Sequence, residues 1–337
     1  MKTADKIFPA PLREGDYAAL IAAASPISKN ALDTAAESLR FLGLKPVIMP
    51  SCECAPPRPW LAAEDRRRAA DIASALADPQ IGGIFFARGG YGSARVLPYI
   101  DFDLFRRFPK MMLGSSDLTF LLNTVSARTG LVTLHGPMPS VDGGYGGMDA
   151  FSVWALRAAV FGAGGGNLQS CGRLYGLRGG GSPDCGCEYA GAAYDAKPGG
   201  GDAAGPVMRL PFKYSRIIGG NLTVLCSMLG TPYEPDFTDR AVFLEDVNEP
   251  LYKIDRMLTT LVLSGRLDRC AGIVCGSFKN CRLTPEAPAG ETSSNDIAYE
   301  QSLLLQAIKE AGLLTGRPVV TGQPFGHALP SATFPIG

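Results

Sequence analysis

The sequence predicts an α/β protein whose first half is a parallel, doubly wound sheet, followed by a smaller second domain. Short apolar runs alternate with segments of helical periodicity throughout that half. The helical segments are about 10–15 residues long, as expected for helices that connect parallel strands. Glycine-rich or polar turns follow several apolar runs, and such sheets bind ligands beyond the carboxyl ends of their strands.

The individual elements of the first half follow from these patterns. Buried strands are predicted at 17–24, 46–49, 82–87, 111–114 and 131–135. A first helix is predicted at 30–42, with Asn30 as its cap and Leu32, Leu39 and Leu42 on one face. A second helix is predicted at 62–77, with its arginines on the exposed side. The turns RGGYG, GSSD and LHGPM then lie at the carboxyl edge of the sheet.

The segment 162–205 separates the two halves, and 15 of its 44 residues are glycine. We expect a connection with a flexible insertion, so the chain divides into a first domain (1–161), a linker (162–206) and a second domain (207–337). Cys171, Cys185 and Cys187 lie in the linker but lack the paired spacing of a usual metal site, and no metal ligand is assigned. The second domain is expected to hold strands at 241–245, 271–275 and 317–321, helices at 251–263 and 295–311, and an ordered terminal loop.

The composition excludes several classes of function. Lys+Arg and Asp+Glu both number 32, so no global field favours nucleic acid or an anionic membrane as partner. The apolar runs are too short to cross a bilayer, and the first residues lack the apolar stretch of a signal peptide. The nine cysteines do not suggest a disulfide framework. We therefore expect a cytoplasmic enzyme.

The stretch MMLGSSDLTF (111–120) is a candidate site, because strand, tight turn and helix start can lift a side chain towards a ligand. Ser115 or Ser116 is a candidate nucleophile, and helix capping by serine or aspartate is the alternative. The stretch does not match the G-x-S-x-G elbow, because Leu118 stands where the second glycine belongs. An ordinary α/β-hydrolase is therefore disfavoured.

A serine nucleophile needs a base, and the chain has only two histidines, His135 and His327. Either could have a structural role. His327 is the better candidate, because Gly326 permits a close backbone approach and the loop follows a strand of the second domain. The base in turn needs an acid, and Glu245 ends the predicted strand 241–245.

Acyl transfer also needs two hydrogen-bond donors for the oxyanion. The backbone N–H of Asp117, at a helix N-terminus, is one candidate. The second could come from RGGYG (88–92), where glycines let N–H groups approach a ligand. A phosphate-binding turn or a plain tight turn is the alternative for RGGYG. The spacing of a dinucleotide fingerprint is absent from it.

Seven segments, in order along the chain, resemble the serine LD-carboxypeptidase family, which includes the muramoyltetrapeptide carboxypeptidases and the microcin C self-immunity proteins. They are LREGDYAALIAAASPIS, RGGYGSARVLPYIDFD, GSSDLTFLL, LHGPM, GGNLTVLCSMLGT, FLEDVNEPLYKIDRML and PFGHALPSATFPIG. The resemblance implies an N-terminal Rossmann-like (flavodoxin-like) domain and a smaller C-terminal β-rich α/β domain, with the active site at their interface.

The resemblance also implies a Ser–Glu–His triad, with Ser116 as nucleophile, Glu245 as acid and His327 as base. The implied reaction is hydrolysis of the amide between an L-centre, typically a diamino acid, and a terminal D-amino acid of a murein tetrapeptide. It implies a cytoplasmic homodimer in peptidoglycan recycling that uses no metal or cofactor.

Other residues take roles by the same resemblance. The N–H groups of Asp117 and Gly90 would hold the oxyanion. The expected substrate contacts are Arg88, Gly89, Tyr91, Ser115 and Asn221. Asn221 could equally cap a helix. Arg88 and Arg256 are both candidates for holding the terminal carboxylate, and either could instead form a structural ion pair. Ser115 departs from the family pattern, in which this position is often aromatic, and a smaller residue here would make the site more open, so the exact substrate stays open. The sequence also does not fix whether the third residue of the substrate is diaminopimelate, lysine or ornithine.

Two other functions stay open. An immunity-type amidohydrolase would use the same triad on peptidyl or aminoacyl nucleotides. It would need a surface that stacks a nucleobase, and neither Trp60 nor Trp154 is expected near the site. A non-catalytic ligand-binding protein would use only the cleft between the domains, and the serine, glutamate and histidine in the three expected segments argue against it.

Overall fold

The computed structural model describes residues 5–162, 210, 212–283 and 294–337. The predicted linker lies almost wholly outside these residues, as do its three cysteines. The described strands are β1 (Tyr17–Ile21), β2 (Lys45–Ile48), β3 (Ile81–Phe86), β4 (Met111–Gly114), β5 (Thr133–His135), β6 (Arg216–Asn221), β7 (Arg240–Val247), β8 (Gly272–Lys279), β9 (Val319–Val320) and β10 (Phe334–Ile336). The described α-helices are α1 (Lys29–Phe41), α2 (Asp65–Ala77), α3 (Phe102–Arg107), α4 (Leu118–Thr129), α5 (Ala150–Phe161), α6 (Leu222–Ser227), α7 (Leu251–Leu263) and α8 (Ser294–Thr315).

The first sheet has six strands in the order β10-β5-β4-β3-β1-β2. Five of them are parallel, as the alternating pattern predicts, and β10 runs antiparallel to β5. Helices α1 and α5 contribute Leu39 and Leu156 to the hydrophobic core on one face. Helices α2 and α4 contribute Ile72 and Leu121 to the core on the other face. The doubly wound α/β fold is confirmed.

Strand β10 differs from the ordered loop expected at the end of the chain. Phe334 pairs with His135 and Ile336 with Thr133, so the last described segment returns to the first sheet. Phe334 and Ile336 are buried, which anchors the strand in the core. Pro335 is tolerated because β10 is an edge strand, where a missing N–H need not break the ladder.

The second sheet has four parallel strands in the order β6-β7-β8-β9. Helix α7 has the predicted bounds, and β7, β8 and α8 extend beyond the predicted segments. The side chain of Asn123, on α4, joins the two halves, since it accepts from the N–H of Gly219 and donates to its carbonyl, both at 2.9 Å. Among the described helices, none is long and apolar enough to cross a membrane.

Two predictions for the first helices are wrong in detail. Helix α1 is capped by Ser28, whose Oγ accepts from the N–H of Ala31, because the helix begins one residue before Asn30. In α2 the arginines are not all exposed, since Arg68 is completely buried. Its guanidinium stays satisfied there by donating to the carbonyls of Ala63, Ala23 and Gly92 and to Asp65.

The carboxyl ends of the parallel strands collect the predicted turns at one edge. Gly114, at the end of β4, pairs with His135 at the end of β5. In the second sheet Asn221, at the end of β6, pairs with Glu245 on β7. Parallel strands therefore bring GSSD, LHGPM, GGN and LED to the edge where ligands of such folds bind.

Candidate active site

The turn between β4 and α4 carries the candidate nucleophile. Ser116 has a backbone φ of +57°, in the left-handed region that non-glycine residues rarely adopt. Strain of this kind is typical of functional turns, where the surrounding structure holds one side chain in place. Gly89 lies against this serine, and a Cβ at that position would be 3.0 Å from Ser116 Oγ. The close approach of the two turns therefore depends on the glycine.

Asp117 fixes this turn to the neighbouring one. It stands at the N-cap position of α4 but makes no side-chain cap bond. Its carboxylate instead accepts from the N–H of Ser93 at 2.7 Å, and the Ser93 hydroxyl donates to the Asp117 carbonyl at 2.6 Å. Burial raises the pKa of Asp117, although the bonds from Ser93 and Gly92 act in the opposite direction. The aspartate thus locks the serine turn onto RGGYG.

The side chain of Ser25 holds the RGGYG turn in place through hydrogen bonds. Ser25 Oγ accepts from the N–H of Tyr91 at 3.0 Å and donates to the carbonyl of Trp60 at 3.1 Å. A Cβ at Gly90, whose φ is +102°, would lie 2.3 Å from the same oxygen. Within the part of the chain that the structure describes, no acceptor contacts the backbone N–H of Gly90 or Asp117. Ser25 therefore joins the RGGYG turn to the Trp60 segment.

Trp60 lies beside the RGGYG turn, although neither tryptophan was expected near the site. Its backbone is bonded to Ser25, which also holds Tyr91, so the segment lies beside the RGGYG turn. Both Trp60 and Tyr91 are more than half exposed. Arg88 is exposed as well, and its guanidinium donates to the carbonyl of Pro26 at 2.9 Å. The turn itself therefore exposes one aromatic and one cationic side chain, Tyr91 and Arg88.

The second sheet brings the predicted acid and base together. Oε2 of Glu245 lies 2.6 Å from Nδ1 of His327, across 82 residues of sequence. Glu245 is completely buried, whereas the His327 side chain is 23% exposed. Because a carboxylate can only accept, the proton between them lies on Nδ1, and Nε2 is left free to act as a base.

Close packing holds the histidine loop against Glu245. Ser277, near the end of β8, donates its N–H to the carbonyl of Phe325, and its Oγ accepts from the N–H of Ala328. Gly326 has a φ of +107°, and a Cβ there would lie 2.8 Å from Glu245 Oε2. The glycine before His327 is therefore needed for the close approach that the sequence predicts.

The Glu245–His327 pair has shifted proton affinities. Burial raises the pKa of Glu245, and its bond to His327 acts in the opposite direction. Burial alone would lower the pKa of His327, but the hydrogen bond and charge of Glu245 outweigh it and raise that pKa. The imidazolium form of His327 is thus stabilised by its carboxylate, as a general base with an acidic partner requires.

Asn221 is occupied by structural bonds. Its Oδ1 accepts from the N–H of Val224 and caps α6, and its Nδ2 donates to Asp246 at 2.8 Å. Asp246 also accepts from both the N–H and the hydroxyl of Thr223. The capping role considered from the sequence is present, and nearly the whole residue is buried.

His135, the weaker of the two candidate bases in the sequence, lies close to Glu245. It is 1% exposed, and its Nε2 lies 4.0 Å from Oε1 of Glu245. Burial lowers the pKa of His135 to about 3, so the imidazole is neutral. The LHGPM segment and the count of two histidines are the only signals that pointed to it.

Other features lie away from this edge. A cavity of about 360 Å³ is lined by Arg216 and Arg240, at the amino ends of β6 and β7, and none of the predicted site residues lines it. Within the described ranges, no three histidine, cysteine, aspartate or glutamate side chains are grouped so that they could hold a metal ion.

Comparison with known proteins decides the family. The N-terminal domain of LD-carboxypeptidases matches residues 18–136, and the C-terminal domain of the same family matches residues 214–337. The chain belongs to the LD-carboxypeptidase family. As a member of this family, the chain is a hydrolase of the carboxypeptidase class.

Individual relatives agree with this assignment. A probable murein peptide carboxypeptidase of Bacillus subtilis is 32% identical over 330 residues, covering 98% of this chain and 89% of the relative. A muramoyltetrapeptide carboxypeptidase structure from Oxalobacter formigenes matches with a TM-score of 0.68 and 25% identity, covering 95% of this chain and 92% of that one. An MccF-like protein structure from Bacillus anthracis gives a TM-score of 0.69 at 23% identity, covering 98% and 94% of the two chains, and supports the fold alone.

Proposed function

We propose that this chain is a serine LD-carboxypeptidase that releases the terminal D-amino acid of a murein tetrapeptide, with Ser116, Glu245 and His327 as its triad. The observation that carries the proposal is the 2.6 Å Glu245–His327 pair. Oε1 of the same carboxylate lies 4.0 Å from His135, which pairs with Gly114 at the end of the strand before the strained Ser116 turn. The names of the murein-peptide relatives supply the substrate class. Peptidoglycan recycling in the cytoplasm, as a homodimer, is the setting we propose.

The first half of the reaction forms an ester. His327 Nε2 takes the hydroxyl proton of Ser116 as its Oγ attacks the carbonyl carbon of the penultimate residue. The N–H groups of Asp117 and Gly90 hold the oxyanion that develops. His327 then gives its proton to the departing amine, and the D-amino acid leaves. The acyl group remains on Ser116.

The second half restores the enzyme. His327 deprotonates a water molecule, which attacks the ester carbonyl, and the proton returns to Ser116 Oγ as the peptide leaves. Glu245 stabilises the imidazolium in both halves through the bond to Nδ1. Arg88, which is exposed in the RGGYG turn, is our candidate for the terminal carboxylate, and Gly89, Tyr91 and Ser115 are our candidates for further substrate contacts.

The same triad could act on an aminoacyl or peptidyl nucleotide, and one observation favours this second candidate. Tyr91 is exposed within the RGGYG turn, and exposed Trp60 belongs to the segment that Ser25 joins to it. Aromatic faces stack nucleobases at about 1–3 kcal/mol per base. The murein peptide remains the leading substrate, because the relatives named for it match most of the chain.

The test is D-alanine release from a murein tetrapeptide, followed with a D-amino acid oxidase assay. Wild type and Ser115→Ala are expected to release D-alanine, and Ser116→Ala is expected to lose about 10³–10⁶-fold in kcat. Ser115 is the matched control, since it is the adjacent serine of the same turn.

Other outcomes point elsewhere. Release from Ser116→Ala at the wild-type rate would refute the proposed nucleophile. If the wild type is inactive on the tetrapeptide but cleaves a nucleotide-linked amide, the second candidate is correct. Equal binding of the peptide by wild type and Ser116→Ala, with no cleavage of either substrate, would indicate a ligand-binding protein.

A further inference from the structure

Three buried polar atoms between the two sheets have no hydrogen-bond partner in the described part of the chain. They are Nδ1 and Nε2 of His135 and Oε1 of Glu245. A buried polar atom without a partner loses its hydration and gains nothing in return, so most such atoms in native proteins are hydrogen-bonded. Two of the three face each other, since Nε2 lies 4.0 Å from Oε1.

We propose that His135 is a positioning residue that donates its Nε2–H to Oε1 of Glu245, so that one histidine holds each oxygen of the buried carboxylate. The inference rests on the proposed triad and adds a fourth member to it. In unliganded sites catalytic hydrogen bonds are often long and shorten when substrate binds. A movement of about 1 Å brings the 4.0 Å pair to hydrogen-bond distance.

The packing of His135 leaves its ring little choice of direction. The Phe334 ring stacks on it at 4.9 Å between centroids and 20° between planes. The backbone of Gly220 lies against its Nε2 edge, where a Cβ would be 3.0 Å from that nitrogen. Phe334 thus restricts the plane of the ring, and Gly220 packs against the edge that carries Nε2. Gly220 therefore leaves room for the His135 ring, which a side chain at that position would displace.

The chemistry of the two nitrogens selects the tautomer. A neutral imidazole carries one proton. On Nδ1 that proton would have no acceptor among the described residues, and the Nε2 lone pair would face a carboxylate oxygen. On Nε2 it points at Oε1, which has no other donor. Because burial keeps the pKa of His135 near 3, the donor is neutral and leaves the charge of Glu245 available to His327.

The position of His135 also connects the nucleophile to the base. It lies on β5, paired with Gly114 at the end of the strand that leads to Ser116. Glu245 belongs to β7 of the second sheet. A bond between them fixes the carboxylate, and through it His327, relative to the sheet that carries the serine. Asp246 and Lys279 also act electrostatically on the Glu245–His327 pair, and His327 acts on His135.

Two variants separate positioning from packing. His135→Phe keeps a ring that can stack on Phe334 but has no donor, whereas His135→Gln keeps an N–H at the end of its side chain. We expect His135→Phe to lower kcat for D-alanine release about 10–100-fold with KM within about twofold, and His135→Gln to restore most of it. Without the donor from His135, ionised Glu245 beside neutral His327 is less stable relative to the ion pair of Glu245 with protonated His327. The pKa of His327 therefore rises, and the acid limb of kcat/KM should move to higher pH in His135→Phe.

A spectroscopic experiment tests the bond without activity. With ¹⁵N-labelled histidine, the spectrum holds only two side-chain imidazoles, and His135→Gln assigns them. We expect the His135 imidazole to stay neutral and protonated on Nε2 from pH 5 to 9. A proton on Nδ1, or titration within that range, would overturn the inference.

The activity of His135→Phe can also contradict the inference. Wild-type kcat and an unmoved acid limb in His135→Phe, with only a lower melting temperature, would mean that His135 is merely structural. If the proposed function itself is wrong, the wild type will release no D-alanine. The ¹⁵N spectrum would still show whether His135 carries its proton on Nε2. If His135→Phe does not fold, the spectrum of the wild type and the activity of His135→Gln still test the hydrogen bond between His135 and Glu245.

Discussion

Nδ1 of His327 lies 2.6 Å from Oε2 of Glu245, although the two residues come from different strand ends of the second sheet. Glu245 is completely buried on β7, and the His327 loop is held against it by Ser277 and Gly326. A buried carboxylate that accepts from an imidazole fixes both the tautomer and the orientation of the base. The proposed chemistry depends on this pair.

Glu245→Gln should reduce kcat for D-alanine release about 10²–10⁴-fold, because an amide can donate to Nδ1 and select the wrong tautomer. KM should change little, since the side chain is buried and does not reach substrate. Glu249→Gln is the matched control in the same LEDVNE segment, where the carboxylate pairs with Lys253 at 3.5 Å. Equal losses in the two variants would count against the assigned acid.

The pH dependence of kcat/KM should report His327. The base works only when its imidazole is neutral, so activity is expected to rise with pH through the pKa of the free enzyme. Since Glu245 raises the pKa of His327, the midpoint should lie above the ordinary histidine value of about 6.5. In Glu245→Gln the midpoint should move to lower pH. An unchanged midpoint in that variant would mean that Glu245 does not set the pKa of His327.

Gly326→Ala should impair the site more than the fold. At φ +107° the added Cβ would be strained and would meet Ser277 Oγ at 2.6 Å and Glu245 Oε2 at 2.8 Å. Displacing the pair by about 1 Å should cost about 10²-fold in kcat, measured by D-alanine release. Gly322→Ala is the control, because its φ is +70° but no atom lies within 4 Å of the added Cβ.

Urea unfolding of the two glycine variants completes the comparison. Both should lose stability through backbone strain, about 1–2 kcal/mol each. Only Gly326→Ala should lose activity. If Gly322→Ala loses kcat to the same extent, the effect belongs to the loop backbone and not to the contact with Glu245.

The fold could largely be predicted from the sequence because its signals are local. Apolar runs separated by helical periods gave the parallel first sheet, and the bounds of β4 and α7 agree with the predicted segments. The Ser28 cap was missed because Asn30 has the same capping chemistry two residues later. The burial of Arg68 was missed because its acceptors, such as the carbonyls of Ala23 and Gly92, are distant in sequence.

The candidate site was predicted only in part, and for the same reason. Residue chemistry alone picked out Glu245 and His327, and the structure places them in contact. The choice of Ser116 over Ser115 came from the family resemblance, since no local pattern distinguishes adjacent serines. The approach of His135 to Glu245 depends on Gly220, on Phe334 and on how two sheets meet, which no local pattern encodes.

The central claim is that Ser116 and His327 act as one catalytic unit, and a double-mutant cycle tests it most directly. D-alanine release from the murein tetrapeptide would be measured for wild type, Ser116→Ala, His327→Ala and the double variant. We predict that each single variant loses at least about 10³-fold in kcat and that the double variant loses little more than the worse single one. Losses that multiply in the double variant would show that the two residues act independently and would contradict the mechanism.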